Sequence, residues 1–313
     1  MTCMCCGKTL TENNTWHRKC IKQFFGTETI PEIDISEKAI EKLAEETIDK
    51  GLTVPGVQKK LSLHLFSEGK PRLTLVDYPT GFILKPQVND FTALPESEHL
   101  VMSMAEKCGI QTVPHGLLHI NNCYAYITRR VDRKFTGNSI NDMFAMEDFC
   151  QLDFRLTQDK YKGSYERCAK VIQKYSSRPM LDLTELFIRL VFFYVSGNSD
   201  MHLKNFSLIE TSPGNSEYVL SPAYDLLPVN LVMPEDKEQM ALTINGKKRN
   251  IRKKDFYVFA ENCGINRKSA EKMTGKVVSL ENKFIEMTEN SFLPDDMKRD
   301  FTELIKFRMS NLK

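Results

Sequence analysis

The apolar residues of this chain change their period near residue 130, and that change restricts the possible folds more than any other feature of the sequence. Before it, Leu61, Leu63 and Leu65 alternate along one face, Leu73 and Leu75 repeat the pattern, and Phe82-Ile83-Leu84-Lys85 follows. Gly69-Lys70-Pro71 and Pro79-Thr80-Gly81 separate these runs. Alternation bounded by glycine and proline reads as β-strands, here an antiparallel meander. Residues 116–120 and 124–128 read as two more strands. Between the two sets lies a helical stretch, 95–108, with Leu100, Val101, Met104 and Ala105 at helical spacing. An earlier helix is expected to start at Ser36, a good N-cap, and to run through Ala39, Ile40, Leu43, Ala44 and Ile48 until Gly51 stops it. Beyond Arg133 a mixed, polar segment gives way to amphipathic helices, among them 183–197 and 270–289. The expectation is an α+β chain in two lobes, a small β-rich one and a larger, mainly helical one. The boundaries fall at 1–26 for a cysteine-rich head, 27–132 for the first lobe and 133–313 for the second.

Composition narrows the function classes. With 41% hydrophobic and 27% charged residues the chain can bury a core. Lys and Arg number 43 against 41 Asp and Glu, a net charge of +2 that gives no overall pull toward nucleic acid or membrane. The strongest apolar run, 186–195, is interrupted by Arg189 and is too short to cross a bilayer, so it reads as a core helix. The N-terminus lacks the charged-then-apolar pattern of a signal peptide. Five cysteines (Cys108, Cys123, Cys150, Cys168 and Cys263) are scattered singly, which suits reduced thiols in a cytoplasm better than a disulfide framework.

The remaining cysteines crowd the start of the chain. Cys3-x2-Cys6-Gly7 and His17-x2-Cys20 supply soft ligands in two pairs, a spacing suited to tetrahedral zinc, with Cys5 a spare. The ordinary alternative is a ragged, reduced N-terminus.

The segment Gly197-Asn198-Ser199-Asp200-Met201-His202-Leu203-Lys204-Asn205-Phe206 carries the most chemistry, a polar turn between the most apolar helix and an expected strand, 206–209. Phosphoryl transfer needs a carboxylate to take the proton of the attacking hydroxyl, and oxygen ligands for magnesium. Asp200 and Asn205 stand at the Asp-x4-Asn spacing of a kinase catalytic loop. Asp225, in Ser221-Pro222-Ala223-Tyr224-Asp225-Leu226-Leu227-Pro228, is placed to complete a metal site. Upstream, Lys85 ends a buried strand and suits phosphate charge, and Glu98 on the next helix suits Lys85. Each alone has a bland reading: a solvated lysine, a chance Asp-x4-Asn pair, an aspartate capping a turn. Their order along the chain favours function. A basic run, Lys247, Lys248, Arg249, Arg252, Lys253 and Lys254, reads by default as solvated surface.

Several strings together carry a resemblance. Val54-Pro55-Gly56-Val57-Gln58-Lys59-Lys60-Leu61-Ser62, Phe82-Ile83-Leu84-Lys85-Pro86, Glu96-Ser97-Glu98, Arg129-Arg130-Val131-Asp132-Arg133, the 198–205 loop and Tyr224-Asp225-Leu226-Leu227 resemble HipA-family serine/threonine kinases, toxins of bacterial toxin–antitoxin systems. The resemblance covers residues 40–265, including 242–246 and Asp255-Phe256. It implies a two-lobed, protein-kinase-like fold using ATP and magnesium. Val54, Gly56, Val57, Gln58 and Lys59 would belong to the phosphate loop, Lys85 would hold the phosphates and Glu98 would orient it. Arg129 to Val131 would meet adenine through the backbone, with Asp132 nearby. Asp200 would be the base, Asn205 and Asp225 the magnesium ligands, and His202 a loop-stabilising hydrogen-bonder, unless it is simply a packed core histidine.

In such kinases a serine just before the loop glycine can be autophosphorylated. Here Thr53 and Pro55 stand nearby, leaving Thr53 as the candidate. The chain resembles short members that reach the phosphate loop early, which implies a separate small protein in place of an extra N-terminal subdomain. The implied partners are a helix-turn-helix antitoxin, DNA only through that antitoxin, and a protein substrate such as an aminoacyl-tRNA synthetase, whose phosphorylation would inhibit translation. No membrane partner is expected, and the implied location is the bacterial cytoplasm. The competing readings are a small-molecule kinase of the aminoglycoside-phosphotransferase type and a non-catalytic, zinc-headed binding module.

Overall fold

The structure is a computed structural model describing residues 1–11, 14–34, 60–67, 69–75, 80–137 and 139–313. The expected helix from Ser36 and the loop residues Thr53, Val54, Gly56, Val57, Gln58 and Lys59 lie outside them. The chain divides into two compact units, Met1–His99 with Val113–Met143, and Leu100–Thr112 with Phe144–Lys313. The fold is α+β, with a small β-rich portion and a larger helical one.

In the first unit, α1 (Arg18–Phe25) follows the cysteine-rich turn, and six strands form one sheet. They are β1 (Glu32–Asp34), β2 (Leu61–Phe66), β3 (Arg72–Thr74), β4 (Phe82–Pro86), β5 (His115–Ile120) and β6 (Cys123–Arg129), in the order β1-β3-β2-β4-β6-β5. The expected strands are present, but the meander is not. β4 returns to the far side of β2 rather than pairing with β3, and β1 joins parallel to β3. Alternation in β2 and β4 turns Leu61, Leu63, Leu65, Phe82 and Leu84 to one face, where Cys3, Leu10, Trp16, Ile21, Phe24 and Phe25 of the head cover them. The head thus supplies the hydrophobic cover of one sheet face. A hairpin, β7 (Arg133–Thr136) with β8 (Ser139–Met143), completes this unit.

The helix α2 (Leu94–Cys108) begins in the first unit and ends in the second. The second unit contains a three-stranded antiparallel sheet, β9 (Met146–Asp148), β10 (Ser207–Glu210) and β11 (Tyr218–Leu220). Its longer helices are α3 (Tyr165–Tyr175), α4 (Pro179–Ser196), α5 (Lys253–Asn262), α6 (Arg267–Val278), α7 (Glu281–Glu289) and α8 (Asp295–Ser310). The sequence reads 270–289 as continuous, but the chain breaks at Ser279 and Leu280, giving α6 and α7. α4 is buried on nearly all sides in its last three turns and packs against α3, α5, α6 and α8. A helix apolar all round demands that position. Pro179 starts it, and Gly197 ends it in the left-handed conformation, φ +67°.

Candidate active site

β4 and α2 place the first group of residues. Lys85 sits on the face of β4 opposite Phe82 and Leu84, and its Nζ lies 2.7 Å from Glu98 Oε1. Both side chains are buried, at 6% and 0% exposure, and Nζ also stands 5.4 Å from the ring centre of Tyr126, its cross-strand partner. A buried ion pair is a poor stabiliser, because desolvation offsets its attraction. Its presence here therefore points to use. After β6 the N–H groups of Arg129 and Arg130 donate to the carbonyls of Pro114 and Gly81. The adenine contact that the resemblance implies at Arg129 is thus not open to its N–H. The Val131 N–H alone of these three has no backbone acceptor among the described residues. Asp132 is held below the usual carboxylate range: burial opposes its charge, but the Arg130 and Arg133 guanidiniums outweigh that.

The loop after α4 places the second group. Gly197 turns the chain, and the Asp200 N–H donates to Asn198 Oδ1 at 3.2 Å. The Asp200 carbonyl accepts from the His202 N–H at 2.8 Å and from Asn205 Nδ2 at 2.9 Å. Asn205 thereby spends its nitrogen and keeps its amide oxygen without a protein partner among the described residues. Tyr165 Oη donates to the Met201 carbonyl, and the Leu203 N–H to that of Lys160, so segments distant in sequence fix the loop from beneath. The Asp200 carboxylate accepts a bond from the Tyr161 hydroxyl. Burial raises Asp200, Tyr161 and Lys160 lower it, and the charges of Asp225 and Asp236 raise it again; the net is a pKa of about 7.

Asp225 is near enough to Asp200 to act on its ionisation, as the Asp-x4-Asn-then-Asp order requires. Tyr224 brings it there, its hydroxyl 2.5 Å from Ser207 Oγ and donating to the Lys204 carbonyl at 3.2 Å. Asp225 itself has φ +59°. A left-handed non-glycine residue costs about 1 kcal/mol or more and tends to mark functional positions. Burial pushes His202 down to about 4, so its ring is neutral, and Nδ1 has no partner among the described residues. The loop is tied by the backbone of His202, while the ring packs edge-on against Tyr161, 4.9 Å between centres.

Three residues here carry no sequence motif. Tyr161 lies in a polar stretch that reads as a connection. Arg189, which interrupts the apolar run, is buried and donates to the Ser221 carbonyl at 2.8 Å, steadying the segment that leads to Asp225. Asp236 accepts from Ser199 Oγ at 2.6 Å. An arginine inside the otherwise apolar run 186–195 is the one signal that could have drawn notice. The basic run is partly consumed by ion pairs, Lys247 with Asp255 at 2.7 Å and Lys248 with Glu238 at 3.3 Å.

At the N-terminus the ligand atoms of Cys3, Cys6, His17 and Cys20 all lie within 4.8 Å of one another.

Comparison with known proteins adds a lineage. Residues 52–284 match the HipA-like C-terminal domain. A Haemophilus influenzae protein provisionally named a kinase is 27% identical over 276 residues, 78% of this chain and 77% of that protein. The provisionally named kinase Y4mE of Sinorhizobium fredii is 29% identical over 221 residues, 68% of this chain but 51% of that protein, so the chain spans about half of its length. Among solved structures, HipA of Shewanella oneidensis, in complex with HipB and operator DNA, aligns with TM-score 0.74 and 20% identity over 88% of this chain and 70% of that one. The Helicobacter pylori proinflammatory kinase CtkA aligns with TM-score 0.53 and 16% identity over 75% of this chain and 89% of that one.

Proposed function

We propose, from the premise that this chain belongs to the HipA-like C-terminal domain family, that it is an ATP-dependent serine/threonine protein kinase and the toxin of a toxin–antitoxin pair. One observation carries the enzymatic part: Asp200 is a buried carboxylate, poised near neutrality, that already accepts a hydroxyl proton donor. A general base works best with a pKa near the operating pH. The Tyr161 hydroxyl makes the bond that an attacking serine or threonine hydroxyl would make, and so acts as its place-holder. When a substrate hydroxyl replaces it, Asp200 would take its proton as the oxygen bonds to the γ-phosphorus of ATP and the bond from that phosphorus to the bridging oxygen breaks, releasing ADP.

The donor set fits the implied cofactors. Asn205 offers an amide oxygen and Asp225 a carboxylate, hard donors of the kind magnesium prefers. ATP would supply the transferred phosphoryl group and magnesium its charge neutralisation. Lys85, oriented by Glu98, would bind phosphate oxygens, and Val131 is the hinge peptide best suited to adenine. His202, neutral and packed on Tyr161, supports the loop.

The HipB and operator DNA bound to the Shewanella protein support an antitoxin partner, with DNA reached only through it. A translation-related substrate such as an aminoacyl-tRNA synthetase and a place in the bacterial cytoplasm complete the reading. Among the described residues no helix is long and apolar enough to cross a membrane.

The test is transfer of labelled phosphate from ATP to proteins of a bacterial lysate. Wild-type protein is expected to label serine or threonine in few bands, and Asp200→Ala none. Labelling confined to small molecules would instead favour the aminoglycoside type, and failure to bind magnesium-ATP would sink the kinase reading.

A further inference from the structure

Residues 1–26 are part of the first unit and share its core, but taken by themselves they are too few to bury a core of their own. Chains below about 40 residues usually need a disulfide, a metal or a partner. All nine cysteines are free thiols, so no disulfide serves. Yet the head is ordered around Cys3, Leu10, Trp16, Ile21, Phe24 and Phe25, which cover the sheet face formed by Phe82 and Leu84.

The four candidate ligands come from two local devices. Cys3 and Cys6 flank a tight turn closed by the Gly7 N–H donating to the Cys3 carbonyl at 3.0 Å. His17 and Cys20 sit at the N-cap and on the first turn of α1. His17 Nδ1 lies 3.4 Å from Cys6 Sγ and 3.9 Å from Cys20 Sγ. Zinc bonds of about 2.3 Å to sulfur and about 2.0–2.1 Å to nitrogen set tetrahedral edges of roughly 3.5–3.8 Å. The two His17 distances lie close to those edges, and the whole set, within 4.8 Å, is compact enough to close on a single ion.

Two further contacts point to a ligand. His17 Nε2 is 3.1 Å from the Thr9 carbonyl, an acceptor only, so that nitrogen donates there and Nδ1 is the one turned to the thiols. Metal-bound histidines are oriented by this arrangement. The backbone N–H of His17 also points at Cys3 Sγ, at 3.4 Å, as it would to support a thiolate. Cys3 is fully buried and Cys6 exposed, which leaves an entry path.

We infer that Cys3, Cys6, His17 and Cys20 bind a single zinc ion, and that this ion holds the head as a folded cap on the outer face of the sheet whose other face carries Lys85. Three thiolates and one imidazole around a closed tetrahedron are a structural zinc set. The cap is fastened to the sheet by the Leu117 N–H donating to the Met4 carbonyl at 2.8 Å and by Trp16 Nε1 donating to the Leu117 carbonyl at 2.9 Å. The ion thus fixes the turn that holds Met4 and the helix that follows Trp16.

Elemental analysis of the full chain, purified without chelator, tests the site. One zinc per chain is expected in wild type and in Cys5→Ser, and less than a tenth of that in Cys6→Ser and Cys20→Ser. Should those variants fail to fold, cobalt titration of metal-free wild type and Cys5→Ser decides, by the visible absorption of a tetrahedral thiolate site. Absence of both zinc and the cobalt spectrum would overturn the site, iron in its place would overturn the metal, and loss from Cys5→Ser alone would overturn the ligand assignment. Stripping the ion should lower the thermal midpoint and zinc should restore it; an unchanged midpoint would refute the structural role.

Discussion

At the residue scale, Asp200 joins stability to chemistry with opposite signs. Its pKa rises from 3.8 to about 7, so between those values the folded state keeps a proton that the unfolded state has lost. Folding stability therefore falls as pH rises through this window and is lowest, for this group, above about 7. Asp200→Asn removes the charge and should raise the thermal midpoint at pH 8, a gain on the order of a few kcal/mol. That gain should shrink steadily as pH falls toward 4, while phosphate transfer drops by about 10²–10⁴ at every pH. Parallel melts and transfer assays check both; a variant less stable than wild type at pH 8 would refute the burial argument. Tyr161 lowers the pKa of Asp200 through its hydrogen bond. In Tyr161→Phe the acid limb of the kcat/KM–pH profile should accordingly move upward, and a downward shift would remove the place-holder role.

At the scale of elements, the site depends on contacts that have no sequence signature of their own. Gly116 on β5 faces Trp16, and a Cβ there would come 2.4 Å from the ring. Gly116→Ala must displace Trp16, at a cost of about 1–3 kcal/mol for an overpacked core. Calorimetry should show a midpoint lower by several degrees, and a wild-type midpoint would mean that the head yields freely. Gly197 differs in kind, since it combines φ +67° with a virtual Cβ 2.7 Å from Leu304. It both ends α4 and opens the Asp200 loop, which explains why the sharpest break in hydropathy precedes the polar residues. Arg189 shows why one long apolar run carries a charge: its guanidinium reaches a carbonyl two residues before Ala223, steadying the approach to Asp225.

For the whole molecule, the two units bring different chemistry. The first holds Lys85 and Glu98, and the second holds Asp200, Asn205 and Asp225. If the proposed kinase activity holds, removal of magnesium should affect phosphate transfer and nucleotide binding alike. Omitting magnesium should abolish phosphate transfer, and ATP should raise the thermal midpoint only when magnesium is added. Equal protection by ATP with and without the metal would argue against ligation by Asn205 and Asp225.

Much of this was legible in the residues alone. Period-two leucines give β2, the Phe82–Lys85 pattern gives β4, and the apolar run before Gly197 gives α4, because alternation and helical spacing are local consequences of which face is buried. The Cys3-x2-Cys6 and His17-x2-Cys20 pairs and the Asp200-x4-Asn205 spacing are equally local readings. The strand order β3-β2-β4, the break at Ser279, the bond from Tyr161 and the rise of Asp200 to about 7 were decided by the tertiary structure. Each depends on groups far apart in the chain, or on the removal of water around a charge. A sequence names the groups that could interact, whereas desolvation and distance determine which of them do.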